Sequence, residues 1–202
     1  MKRAAIGIRA HSGWAAAVAV AADVRTPRIL DRQRIAVVDS GARGAIQPYH
    51  FAKNLSLPEA EAHLADCAKA ARVMAIKGLR AMAENLRNAG YEMASCGLLT
   101  ASGRPVPELA ETLASHAMIH TAEGEFFRNV FADACAQLGI AVTKIREREL
   151  LDRASKELRV TAAQIKKQLT SLGRDLGPPW TQDQKSAALV AWLLLKNNSQ
   201  RR

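Results

Sequence analysis

Apolar residues recur along the chain with two periods, and the switch between the periods divides it into elements. Residues 4–9 alternate and stop at His11, Ser12 and Gly13, a turn sequence. Residues 14–22 resume as a second apolar run containing Val18 and Val20, and residues 28–39 read as a third strand after a charged turn. Three strands joined by short turns predict an antiparallel meander. Residues 45–56 read as a loop. Ser56, Pro58 and Glu59 then mark a helix start. Its apolar positions, Leu64, Cys67, Ala71, Met74, Gly78, Met82 and Leu86, keep three- and four-residue spacing, and Gly90 ends it. Residues 91–100 form a fourth strand, Pro107 opens a helical region that Gly139 closes, and residues 140–145 form a short fifth strand. Helices follow over 147–157, from a Thr161 cap to near Leu172, and over 181–196. The order β-β-β-α-β-α-β-α, without repeat or linker, predicts one α/β domain over residues 1–197 with a polar tail at 198–202. Strand-helix-strand units after the meander imply right-handed parallel crossovers.

Composition changes the picture in three ways. The 49% hydrophobic content includes 39 alanines and only 4% aromatics, so the core is built from small and aliphatic side chains. Cys67, Cys96 and Cys135 are too few and too scattered for a disulfide framework and read as buried small hydrophobes in a reducing compartment. The basic start and the alanine-valine run at 15–22 invite a signal-peptide reading, but Arg9, His11 and Ser12 interrupt the apolar stretch, so the expectation is cytoplasmic. The uncharged run at 186–195 is about half a membrane span, and no spanning helix is expected.

The net charge of +10 is uneven. Residues 1–50 hold 8 basic and 3 acidic side chains, and residues 151–202 hold 10 and 4. Residues 101–150 hold 5 and 7, so the middle is acidic. Two basic ends that meet in the fold would form a patch for an acidic polymer, nucleic acid first among them; otherwise they are solvated surface.

Three stretches resemble the ribonuclease H-like superfamily, and within it the RuvC-type Holliday junction resolvases. Ile6-Gly7-Ile8-Arg9 followed by Ala10-His11-Ser12-Gly13-Trp14 resembles that family's first hairpin, where an Asp ends the hydrophobic-Gly-hydrophobic strand. Residues 161–169 resemble its penultimate helix. Residues 183–191 resemble its terminal helix, which has acidic residues just before a small-residue run. The resemblance implies a three-layer fold with a mixed five-stranded sheet. It also implies a carboxylate cluster that would hold two divalent cations at a scissile phosphate. The matching positions differ. Arg9 stands where the first-strand Asp would be, the fourth-strand Glu falls near Ser95 or Cys96, and of the terminal acids Asp183 remains, with Ser186 a turn later. A fixed positive charge in that place argues against family-type cleavage. The expectation is a non-catalytic nucleic-acid-binding or scaffolding protein, with pairing into a dimer through the long helix as another reading.

Two constellations remain. His116, His120 and Glu123 share one face of a predicted helix, at spacing that can chelate zinc or a similar cation or simply make a polar face. With Glu125, and facing Arg9, His11 and Asp183 in one cleft, they would make a relocated metal-dependent phosphoester hydrolase site. Gly124 in that helix implies a close approach or a break. Arg9 could bind phosphate or pair with Glu123 or Asp183. Candidate nucleic-acid contacts are Arg9, His11, Lys166, Lys167, Arg174, Lys185 and Trp180. Trp180 either stacks a base or packs ahead of a Thr181 cap. His50 and His63 receive no role, and no phosphate-loop, dinucleotide or nucleophile-elbow motif is present.

Overall fold

The computed structural model describes residues 1–23, 26–39, 41–101 and 103–199. Strands β1 (Lys2–His11), β2 (Trp14–Asp23) and β3 (Thr26–Ala36) form the expected meander. Next come α1 (Pro48–Ala52), α2 (Leu57–Asn88), β4 (Tyr91–Thr100), α3 (Leu109–Ala114), α4 (His116–Gln137) and β5 (Val142–Arg146). Helices α5 (Glu147–Leu158), α6 (Ala162–Leu176) and α7 (Gln182–Ser199) complete the described chain. The sheet order is β3-β2-β1-β4-β5, antiparallel from β3 to β1 and parallel from β1 to β5.

Both faces of the sheet are covered, and strand alternation decides what each face holds. In β1, Ala4, Ile6 and Ile8 join a core under α2 and α4 that includes Leu79, Met82, Phe127 and Phe131. Ala5 faces the other way, into a core built largely by α7. That helix buries every residue from Ala187 to Leu195, because the sheet lies on one side and α5 and α6 on the other. The apolar run at 186–195 is therefore an internal helix, and among the described residues no helix is long and apolar enough to cross a membrane. The alanine-valine run at 15–22 falls in β2, flanked by a strand on either side.

Two glycines set the depth of α7. Gly7 and Gly97 sit side by side in β1 and β4. A Cβ on Gly7 would press onto the Ala187 carbonyl and come within 2.7 Å of Val190 Cγ1, and one on Gly97 would come within 2.6 Å of Val190 Cγ2. Paired glycines thus make a trough in the sheet that lets an alanine-rich helix rest on backbone.

Several boundaries differ from expectation. The segment read as a loop contains α1, which starts with Pro48 at its first position. The helical region after Pro107 breaks at Ser115, whose side chain caps α4 by accepting from Met118 N, and not at Gly124. The three heavy atoms nearest a Cβ on Gly124 all belong to the Arg128 side chain of its own helix, so no strand approaches that glycine closely. Helix α7 runs to Ser199, past the expected start of the tail, and residues 200–202 lie outside the described residues. Cys96 and Cys135 are buried in the α2–α4 core and Cys67 is half-buried, all as free thiols. On α2 the exposed side carries Lys69, Lys77 and Arg80, and among the described residues Val73 is the one large apolar side chain exposed in its interior. The described residues of α2 therefore do not form the apolar stripe expected of a pairing helix.

Candidate functional site

Two clusters of polar side chains form, one on each face of the sheet. The first stands at the carboxyl end of β1, where open α/β sheets generally place their ligands. Arg9 follows Ala5 and Gly7 in the alternation and so points to the α7 side. Its Nε donates to Glu147 Oε1 at 3.0 Å, and its Nη1 donates to Asp183 Oδ1. Glu147 opens α5, and Asp183 lies in the first turn of α7, where helix dipoles favour negative charge. The start of α7 is fixed by Thr181, whose Oγ1 accepts from Gln184 N while its own N–H donates to the Gln184 side chain. Burial alone would lower the Arg9 pKa, but the bonds and charges of Glu147 and Asp183 outweigh it and hold the pKa above the ordinary value. The guanidinium therefore acts as a fixed bridge between the starts of two helices.

The cluster continues outward. His11 Nε2 lies 3.2 Å from Arg9 Nη1 and 3.4 Å from Asp183 Oδ1. Its ring stacks on Trp14 at 4.4 Å between centroids, and the Arg34 guanidinium lies 4.3 Å from the Trp14 ring centroid. Trp14 and Arg34 were missed in the sequence, although an aromatic directly after a strand turn opposite His11 was a legible signal.

Strand register corrects one expected position. Ser95 and Cys96 pair with Ala5 and Ile6, too deep to reach Arg9. The last pairing is Ile8 with Leu98, so one step further sets Leu99, a core residue, beside Arg9. Ser186 is buried and accepts from Gln182 Nε2 at 3.3 Å.

The second cluster lies under α1 and α4. Glu123 is 4% exposed, and its carboxylate accepts from the backbone N–H groups of Tyr49 and His50 at 3.4 and 3.3 Å. These amides are in the first turn of α1, whose N-cap Gln47 makes no side-chain cap, so Glu123 caps the helix from 73 residues away. Glu123 Oε2 also lies 2.9 Å from His50 Nδ1. Burial pushes the Glu123 pKa up, against the opposing pull of the His50 ring and the two amides. His116 and His120 are exposed, with their Nε2 atoms 3.1 Å apart. The third group that joins them is His50, not Glu123, and one ring nitrogen of each histidine lies within 4.8 Å of the others. Glu125 is not among these groups; it pairs with Arg128. Replacing Glu123 with alanine removes the acceptor for two amides of a short helix. The expected loss is about 1–3 kcal/mol in denaturant unfolding, with faster hydrogen exchange at Tyr49 and His50.

Of the expected site residues, Arg9, His11 and Asp183 converge, joined by Glu147. His116, His120 and Glu123 belong to the other face, so the single cleft containing both sets is not formed. Lys166, Lys167 and Arg174 are exposed on α6, and Lys185 is half-buried on α7. Trp180 packs ahead of the Thr181 cap, the second of its two expected roles. Its Nε1–H donates to Leu169 O at 2.7 Å and its ring lies against Gly173, so it fastens α6 ahead of α7. Arg32 of β3 ties the same corner by donating to the carbonyls of Leu176, Gly177 and Pro179.

The sheet order, the helices on both faces and a polar cluster at the end of β1 define a ribonuclease H-like fold of the RuvC kind. Among the solved structures it is similar to are two of Thermus thermophilus RuvC. One, in complex with a Holliday junction substrate, superposes with a TM-score of 0.56 at 10% identity, covering 98% of this chain and 96% of that one. Another structure of the same protein gives 0.54 at 10% identity with the same coverage. No family model and no curated protein matches the sequence.

Proposed function

We propose that this protein binds nucleic acid on a RuvC-like scaffold without cutting it. The observation that supports this reading most is Arg9. The resemblance puts a metal-holding carboxylate at that position, and the side chain there is a guanidinium already joined to Glu147 and Asp183. A cation site would need those two carboxylates free; here a fixed internal cation occupies them. The neighbouring strand contributes Leu99, which cannot ligate a hard metal.

Affinity for nucleic acid is supported by the placement of charge. Helix α7, from the basic last quarter of the sequence, packs on β1, from the basic first quarter. Lys166, Lys167 and Arg174 on α6 and Lys185 on α7 supply phosphate contacts, and Trp14 with Arg34 adds an aromatic-cationic edge near Arg9. Arg9, His11 and Trp180 hold this surface in place through their bonds to Glu147, Asp183 and Leu169 O. A four-way junction, a duplex and a single strand serve as probes in a binding titration across salt concentrations. Binding that weakens as salt rises is expected, with a shallower salt slope for a Lys166→Glu, Lys167→Glu variant. No binding to any probe at low salt removes the reading.

A further inference from the structure

We propose that His50, His116 and His120 form a binding site for a borderline divalent cation, zinc or one of similar preference, with one coordination position open to solvent. The site is independent of the Arg9 cluster, which lies on the other face of the sheet. Three features support it. The first is the donor set: three imidazoles with one nitrogen each inside 4.8 Å, and two of them only 3.1 Å apart. Zinc–nitrogen bonds of about 2.0–2.1 Å in tetrahedral geometry require nitrogen separations of about 3.3 Å, so small side-chain rotations suffice.

The second is the buried carboxylate behind the cluster. Glu123 Oε2 accepts from His50 Nδ1–H, which leaves the His50 Nε2 lone pair as the ligating atom. A carboxylate fixing the tautomer and orientation of a histidine is the usual support of a metal-bound imidazole. The same carboxylate caps α1 through the amides of Tyr49 and His50, so the ligand and its orienter are held by one bond network. Glu123 is therefore a positioning residue and not a ligand.

The third is backbone placement. His116 and His120 are one helical turn apart near the capped start of α4, and their separation is set by the helix itself. Their rings and that of His50 meet edge to face, with centroids 4.5–5.7 Å apart. His116 and His120 are exposed, so a cation can enter without unfolding, and three protein donors leave a position for water or an anionic ligand. All three donors are imidazole nitrogens, which favour zinc, copper or nickel over magnesium or calcium.

The test uses the full chain, stripped with a chelator and titrated with Zn2+ by calorimetry, with Co2+ spectra as a second readout. One equivalent of Zn2+ should bind, and the Co2+ complex should show the intense visible bands of a four-coordinate site. Glu123→Gln is expected to weaken binding by roughly 10–100-fold, and His116→Ala or His120→Ala by more. His63→Gln, which changes a histidine outside the cluster, should leave affinity unchanged. The proposal is overturned if the wild type binds Zn2+ no more tightly than the His116→Ala, His120→Ala double variant. Loss of binding in His63→Gln equal to that in His116→Ala also overturns it, by placing the cation elsewhere. Nucleic-acid binding is a separate measurement, so either result stands without the other.

Discussion

Replacing Gly7 with valine is expected to prevent stable folding, or to lower stability by about 3 kcal/mol or more where soluble protein is obtained. The cause is space. Gly7 lies in a central strand, and a side chain there would occupy the position of the Ala187 carbonyl and press on Val190. A backbone carbonyl in the middle of a buried helix cannot turn aside, so α7 would have to lift from the sheet. Lifting it would expose part of the core formed by Val18, Val20, Leu99 and the whole apolar length of α7. Gly97→Ala is the informative comparison. Its added methyl meets side-chain atoms of Val190 and Leu194, which can rotate, so a smaller loss of about 1–3 kcal/mol is expected. Denaturant unfolding of both variants checks the order. Equal losses would mean that the trough does not set the helix position.

Arg9→Asp is expected to make stability depend on a hard divalent cation. Without one, the substitution would put a third carboxylate near Glu147 and Asp183, which have lost their shared partner. The side chains of Arg9, Glu147 and Asp183 are 26%, 42% and 23% exposed, so solvent screens the repulsion in part. A loss of about 2 kcal/mol is expected in the presence of chelator. Mg2+ should restore stability as its concentration rises, because it binds the folded carboxylate set and not the unfolded chain. Mg2+ also avoids the histidine cluster, whose nitrogen donors suit other metals. In the wild type, where Arg9 already bridges the two acids, Mg2+ should leave the thermal midpoint unchanged. Insensitivity of the variant to Mg2+ would show that Arg9 does not stand in a cation's place.

The elements that follow from local pattern were legible in the sequence. The three-strand meander, the capping box of Ser56 and Glu59, and the Thr161 and Thr181 caps depend on residues within a few positions of one another. So does the reading of 186–195 as something other than a membrane span, since its length is short. What was not legible depends on contacts between distant parts of the chain. Helix α1 is five residues long and takes its cap from Glu123, so no local propensity announces it. His50 joins His116 and His120 only through that same packing. The helix break at Ser115 had a local sign, a capping residue inside a helical run, which the apolar periodicity on both sides obscured. The sequence shows Arg9 as a charge in an unusual place, with phosphate, Glu123 or Asp183 as its candidate partners, and the fold selects Asp183. Glu147, 138 residues away at the start of α5, reaches Arg9 because β5 pairs with β4 and ends directly before it, a long-range pairing no local pattern announces. Likewise, the fourth-strand sequence suggests Ser95 or Cys96, whereas the parallel register pairs these with Ala5 and Ile6 and ends at Ile8 beside Leu98, one step before Arg9 and Leu99.

The most direct measurement is a time course with a labelled four-way junction in Mg2+ at low salt, following complex formation and strand integrity in the same samples. The expected result is a salt-sensitive complex in which every strand stays intact. Mg2+-dependent cutting that disappears in an Asp183→Asn variant, or an absence of any complex, would contradict the assignment of this fold to binding without cleavage.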